Sequence, residues 1–187
     1  MPLSADVELI GRIKSGDQQA KGALFERYWR SVYLYCVRLL VDRDEANDAA
    51  QNALLKGLDS LASLDNPQAF RSWIFMIARN EVFTLLRGKR RNGTEPLELY
   101  SDALINPQTP FDEAVRSDRT EIIRDALQRL KAEFREVIVL REYEQLSYLE
   151  IAAVTGCTES AVKSRLFHAR KAMLEQLRPY FREREES

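Results

Sequence analysis

Ser147-Tyr148-Leu149-Glu150-Ile151-Ala152-Ala153-Val154-Thr155-Gly156-Cys157-Thr158-Glu159-Ser160-Ala161-Val162-Lys163-Ser164-Arg165-Leu166 spells out two helices and the turn between them. Ser147 and Glu150 have capping-box spacing: the hydroxyl can bond the third helical N–H while the carboxylate reaches back to the cap. The short helix Tyr148–Thr155 then stops at Gly156, which tolerates the left-handed conformation of a helix terminus. Thr158 caps a second helix with Val162, Leu166 and Ala169 on one face and Lys163, Arg165, Arg170 and Lys171 around the rest. A short helix, a glycine turn and a basic second helix make a helix-turn-helix, whose second helix enters the DNA major groove. Thr158 to Arg178 holds five bases against two acids, net +3. The competing reading is an α-hairpin with a solvated basic face.

Outward from this motif, the rest of the chain also reads as helix. Seven Gly and six Pro among 187 residues are too few for the turns of an all-β fold. In the first half Tyr28, Val32, Tyr35, Leu39 and Leu40 recur at helical spacing. Asp42 and Asp44 offer caps for a helix through Ala49, Ala53, Leu54 and Leu58, and Asn66-Pro67 starts another with Phe70, Trp73, Ile74, Ile77 and Ala78. Residues 96–117 differ: Pro96, Pro107 and Pro110 break helices, and four acids face one base. The expected fold is all-α, with two small helical domains, 1–95 and 118–187, joined by a flexible acidic linker, 96–117. Fully extended, that linker reaches roughly 70 Å, so the flanking blocks need not touch.

Charge and chemistry narrow the function. With 28 Lys+Arg against 29 Asp+Glu the net charge is -1, so a nucleic-acid partner has to be met by local patches. One such patch runs from Arg71 to Arg91, six bases against one acid, beside several aromatic residues. Interleaved rings and cations suit single-stranded nucleic acid, although Trp73 and Ile77, four apart, also read as core. Two cysteines far apart and a single histidine, His168, leave no zinc ribbon, no Cys–His pair and no Ser–His–Asp set, and no glycine loop cradles a phosphate. The expectation is a non-enzyme without metal, cofactor or small-molecule substrate. His168 reads as a phosphate or solvent contact, and both cysteines as small hydrophobes. No apolar stretch approaches a membrane span, and Met1–Glu8 lacks the pattern of a signal peptide, so a cytoplasmic location is expected.

Taken together, Asp42 to Gln51, Phe70 to Trp73, Ala78 to Asn80, Leu140 to Glu144, Ile151-Ala152, Val162 to Leu166 and Ala169-Arg170 resemble a bacterial RNA polymerase sigma factor of the extracytoplasmic-function group. The resemblance runs in order over nearly the whole chain. It implies that the helix bearing Asp44, Glu45, Asp48 and Gln51 docks on the coiled coil of the polymerase largest subunit. The Leu64–Ala69 loop and the helix after it would melt and read the minus-ten element, with Asn66, Phe70, Trp73, Arg79, Asn80, Arg87, Lys89, Arg90 and Arg91 as contacts. The second helix of the helix-turn-helix would read the minus-thirty-five element through Ser160, Lys163, Ser164, Arg165, His168, Arg170 and Lys171. The linker would run near the RNA path, and an anti-sigma factor is an implied further partner. Asn47 and Asn52 stand where the family commonly has acids, Thr84 where an Asp is usual, and Ser160-Ala161 where Gly-Thr is frequent. A helix-turn-helix regulator that acts without replacing sigma is the alternative, but it leaves the basic aromatic segment unexplained.

Overall fold

The computed structural model describes residues 3–91 and 118–182. The expected linker 96–117 lies outside the described residues, as does the side chain of Arg90. Eight α-helices make up the described chain: α1 (Leu3–Lys14), α2 (Gln18–Leu39), α3 (Arg43–Asp59), α4 (Phe70–Arg91), α5 (Asp118–Gln128), α6 (Ala132–Ile138), α7 (Tyr148–Thr155) and α8 (Glu159–Arg182). No strand occurs among the described residues.

Local chemistry sets the boundaries in the first block. Asp17 caps α2 by accepting from the Gln19 and Ala20 N–H groups at 2.9 and 3.2 Å, and Arg12 grips the same carboxylate at 2.7 Å. These bonds hold the Asp17 carboxyl below its ordinary range, the Arg12 bond first. Asp42, rather than Asp44, caps α3, accepting from Glu45 N–H at 2.9 Å. Asn66 caps a single 3₁₀ turn, Pro67–Ala69, which feeds directly into α4. The expected stripe on α2 is realised: Tyr28, Val32, Tyr35, Leu39 and the following Leu40 are all buried, as is Cys36.

The buried residues of α3 are Leu54 and five small ones, Ala46, Ala49, Ala50, Ala53 and Gly57. Such small residues let α4 approach closely. A methyl group at Gly57 would meet Ile74 Cδ1 at 2.5 Å and force that fully buried side chain to move.

Helix α1 has no counterpart in the sequence reading. It packs on α2 and delivers Asp6 to a buried site, where Tyr28 Oη donates to it at 2.6 Å and Arg27 Nε lies 2.7 Å away. Buried carboxylates need such partners, and this pair ties the amino-terminal helix to the core. The Tyr28 hydroxyl is pushed well up by burial and by that neighbouring carboxylate.

In the second block the helix continuing from α6 widens into a π turn over Val139–Tyr143, with Glu144 N–H reaching Val139 O at 3.1 Å. The helix-turn-helix then appears as read: the Ser147–Glu150 capping box is complete, Gly156 adopts φ 68°, and the Thr158 hydroxyl accepts from Ala161 N–H at 3.2 Å. Val162, Leu166 and Ala169 are buried, and Cys157 is half-buried in the turn.

The two blocks touch, and their buried apolar residues form one contiguous cluster. Helix α4 lies against α7, and α2 against α5 and α6. An extended linker reach sets only an upper limit on separation, and the surfaces of α2 and α4 are apolar enough to be covered. Arg135, 5% exposed, donates to Leu39 O at 2.9 Å and to Gln128 O and Leu130 O at 2.7 and 3.1 Å. One guanidinium therefore satisfies terminal carbonyls of both α2 and α5, where a cation also complements the helix dipole.

Candidate functional site

Three surfaces carry the residues singled out from the sequence. The first is the outer side of α2 and α3. Asp44, Asp48 and Gln51 are exposed there. Gln51 and Asn47 line a concavity of about 460 Å³ together with Phe25, Glu26 and Trp29. Phe25 stacks on Trp29 at 5.6 Å between ring centroids, and Trp29 on Tyr33 at 5.9 Å, so a half-buried aromatic ladder climbs α2 beside the polar residues of α3. The sequence reading missed Phe25 and Trp29. Their four-residue spacing, off the Tyr28–Val32 stripe, is the signal that marks a second aromatic face. Glu45 differs from the other acids here because Lys89 of α4 pairs with it.

The second surface is α4 and the loop before it. Asn66, Asn80, Arg87 and Arg91 are exposed. Asn66 spends its carbonyl oxygen on Gln68 N–H at 3.0 Å, and Arg87 donates to Thr84 at 3.1 Å. Phe70 is a correction to the expected site: at 2% exposure, edge-on to Tyr28 at 5.0 Å, it is a core ring with no face free for a base. Trp73 is half-buried, leaning on Phe70 and lying over Gly57.

Arg79 also departs from expectation in this arrangement, since its Nε sits 2.8 Å from Glu136 of α6 and its guanidinium lies over Phe83 at 4.5 Å. Glu136 is fully buried and also accepts from Tyr35 Oη at 3.1 Å. Burial pushes the Glu136 carboxyl up to about 7, against the opposing pull of Arg79, Tyr35 and Arg165. The same burial, with the Glu136 charge beside it, raises the Tyr35 hydroxyl well above its ordinary range.

The third surface is α8. Helical periodicity sets Ser160, Lys163, Ser164, Phe167 and Lys171 on one face, with His168 at its edge, and all six are exposed. The opposite stripe, Val162–Leu166–Ala169, is packed into the block, so the polar face must look outward. Phe167, 66% exposed amid these groups, was missed from sequence. It is apolar yet out of register with the buried stripe, which is the signature of a surface ring, and an apolar side chain there suits a thymine methyl. Arg165 and Arg170 occupy the flanks. Arg165 is half-buried with Nη1 3.8 Å from Cys157 Sγ, and Arg170 donates to Glu142 at 2.7 Å.

Among the described residues no group of three or more His, Cys, Asp or Glu side chains is placed to hold a metal ion, and no helix is long and apolar enough to cross a membrane. An all-α chain whose second block is a helix-turn-helix with an outward cationic face belongs to the class of DNA-reading proteins. The particular family follows from similarity. Residues 24–92 match Sigma-70 region 2 and residues 120–173 match Sigma-70, region 4. The chain is 32% identical to RNA polymerase sigma-H factor of Pseudomonas aeruginosa over 95% of its own length and 96% of the relative's. It is 30% identical to ECF RNA polymerase sigma factor SigW of Bacillus subtilis, covering 90% and 95%. Among solved structures, the sigma factor RpoE in complex with the anti-sigma factor NepR from Bartonella quintana aligns with TM-score 0.68 and 26% identity over 84% of this chain and 96% of that one. CnrH, solved with the cytosolic domain of CnrY, aligns with TM-score 0.70 over 94% and 98% and, at 24% identity, speaks to the fold. The chain belongs to the extracytoplasmic-function group of RNA polymerase sigma factors.

Proposed function

We propose that this chain is an alternative sigma factor that binds core RNA polymerase and directs promoter recognition, DNA melting and transcription initiation in the cytoplasm, without catalysing a reaction itself. The observation that carries the reading is the full-length relationship: sigma region 2 and region 4 matches stand in order, and relatives named as sigma factors align over at least nine-tenths of both chains. A regulator that does not replace sigma would have no reason to carry the first region. We assign 1–95 to polymerase and minus-ten binding, 96–117 to the linker and 118–187 to minus-thirty-five binding. The polymerase face is Asp44, Asp48 and Gln51 with the Phe25–Trp29 ladder, because exposed acids beside a concave aromatic surface suit a helical, basic partner. The minus-ten surface keeps Asn66, Asn80, Arg87 and Arg91. The minus-thirty-five surface centres on Ser160, Lys163, Ser164, Phe167, His168 and Lys171. An anti-sigma factor is a further partner, as for the relative solved with NepR.

Free chain of net charge -1 should hold duplex DNA poorly, since phosphate neutralisation supplies most of such affinity. The test is reconstitution with core polymerase on promoter templates from the native host. Promoter-dependent transcripts that require both components are expected, and Asp48→Lys should weaken association with core while leaving helicity intact. Promoter-specific binding by the free chain, with no gain from core, would favour the regulator instead.

A further inference from the structure

Helix α1 precedes the residues that match Sigma-70 region 2 and carries none of the surfaces assigned above. It is nevertheless fixed to α2 at both ends. Near its start Asp6 meets Tyr28 and Arg27, and near its end Arg12 bonds Asp17, the cap of α2, at 2.7 Å. Between these anchors Ile10 and Ile13 are buried, and α1 lies against both short turns, Leu61–Ser63 and Pro67–Ala69, that flank Leu64, Asp65 and Asn66. Its last residue, Lys14, crosses to that loop and donates from Nζ to Leu64 O at 2.8 Å. We propose that α1 braces the minus-ten loop and that Lys14 is a positioning residue for base recognition: by holding the Leu64 carbonyl it presents Asn66 to the opened strand in one pose. The proposal rests on the reading of the chain as a sigma factor and adds the element that sets the shape of the reading loop.

The loop has two fixed ends and an exposed middle. Leu64 is buried, with its N–H spent on Leu61 O at 3.1 Å, whereas Asp65 and Asn66 are exposed. Beyond them the chain is fixed again, because the Asn66 side-chain oxygen accepts from Gln68 N–H and Ala69 N–H reaches Asn66 O, each at 3.0 Å. The exposed pair is thus pinned on one side by a cap within the loop and on the other by an ammonium 50 positions away in sequence. A charged donor makes a stronger hydrogen bond to a carbonyl than a neutral one. A loop ordered before the strand arrives loses less backbone freedom on binding. With its oxygen held in the cap, Asn66 offers the strand its amide N–H groups, and their direction follows the backbone at Leu64 and Asp65.

The experiment compares wild type with Lys14→Met, which keeps an apolar stem but removes the donor, and with Lys14→Arg, which retains one. In the free chain, amide hydrogen exchange reports on the loop. Lys14→Met should speed exchange about tenfold at the hydrogen-bonded amides of Leu64, Gln68 and Ala69, with exchange in α2 and helicity unchanged, and Lys14→Arg should stay near wild type. With core polymerase, transcription is measured from a promoter found by the reconstitution above and from the same promoter randomised across its minus-ten segment. Lys14→Met should lower the preference for the native segment about tenfold, the size expected when a charged hydrogen bond is lost, with the salt dependence unaltered. Lys14→Arg should restore that preference. A direct phosphate contact by Lys14 would instead weaken all sequences alike and reduce the salt slope, and that result overturns the positioning role. Unchanged loop exchange in Lys14→Met overturns it too, as does faster exchange with no change in preference. A wild type that yields no promoter-dependent transcript with core overturns the functional reading, and base recognition with it, while the exchange measurement still decides the brace.

Discussion

Helices α4 and α8 are of similar length, 22 and 24 residues, and both carry clustered cations, yet they hold that charge differently. On α8 the Ser160–Lys163–Phe167–Lys171 face is exposed, with Lys163 Nζ 5.9 Å from the Tyr148 ring centroid, while the flanking Arg165 and Arg170 meet Cys157 and Glu142. On α4 Arg71, Arg79 and Lys89 are each matched to a carbonyl or carboxylate from another element. A run of positive charge in a near-neutral chain therefore says little about availability, because acids distant in sequence, Glu45 and Glu136, decide which cations are free.

The two phenylalanines at these sites give the largest expected contrast. Phe70→Ala should lower stability by about 3–5 kcal/mol, the usual cost of emptying an aromatic core site, read as a fall in urea midpoint. A loss below 1 kcal/mol would return Phe70 to the list of DNA contacts.

Next in size is the pH dependence set by Glu136. Its carboxyl titrates higher in the folded chain, about 7, than its ordinary value of 4.5, so the folded state binds the proton more tightly. The stabilising contribution is then fully present below about pH 4.5 and is lost as pH rises through about 7, a change of about 3 kcal/mol. Tyr35 from α2, Arg79 from α4 and Arg165 from α8 are the groups facing it, and Glu144, raised by burial, adds a slope of the same sign. Glu136→Gln should therefore gain stability relative to wild type at pH 8 and show no gain at pH 4.5. Parallel pH profiles for the two proteins would show that the carboxyl is not held neutral by burial.

Phe167→Ala should reduce transcription from a minus-thirty-five-dependent promoter by about 1–3 kcal/mol equivalent, the size of a base-edge contact, with no change in melting temperature. A large stability loss with unaltered promoter preference would make α8 resemble α4. Smallest is Lys89→Ala: a pair about one-third exposed at each end should be worth less than about 1 kcal/mol. A loss well above that would mark the Glu45–Lys89 link as part of the α3–α4 frame.

Local grammar was legible in the sequence because it depends on residues close together. The Ser147–Glu150 box, the Gly156 turn and the Thr158 cap each involve a few adjacent positions, and the Val162–Leu166–Ala169 stripe follows from helical period alone. Helix α1 was not legible, because its burial depends on Asp6 finding Tyr28 and Arg27 one helix away. The same holds for Arg79 and Glu136. Nothing near either residue announces a partner 57 positions distant, so composition counted Arg79 as free charge. The π turn at Val139–Tyr143 likewise follows from how α6 must meet α7 and from no local motif.

The two thiols have a practical consequence. Cys36 is sealed in the core with its thiol pushed up to about 12 by burial, which leaves almost no reactive thiolate at neutral pH. Cys157 sits half-buried in the turn that aims α8. A maleimide dye applied to the native chain is thereby directed to one position, beside the helix proposed to read DNA. The protein supplies its own spectroscopic handle for testing whether that helix meets DNA.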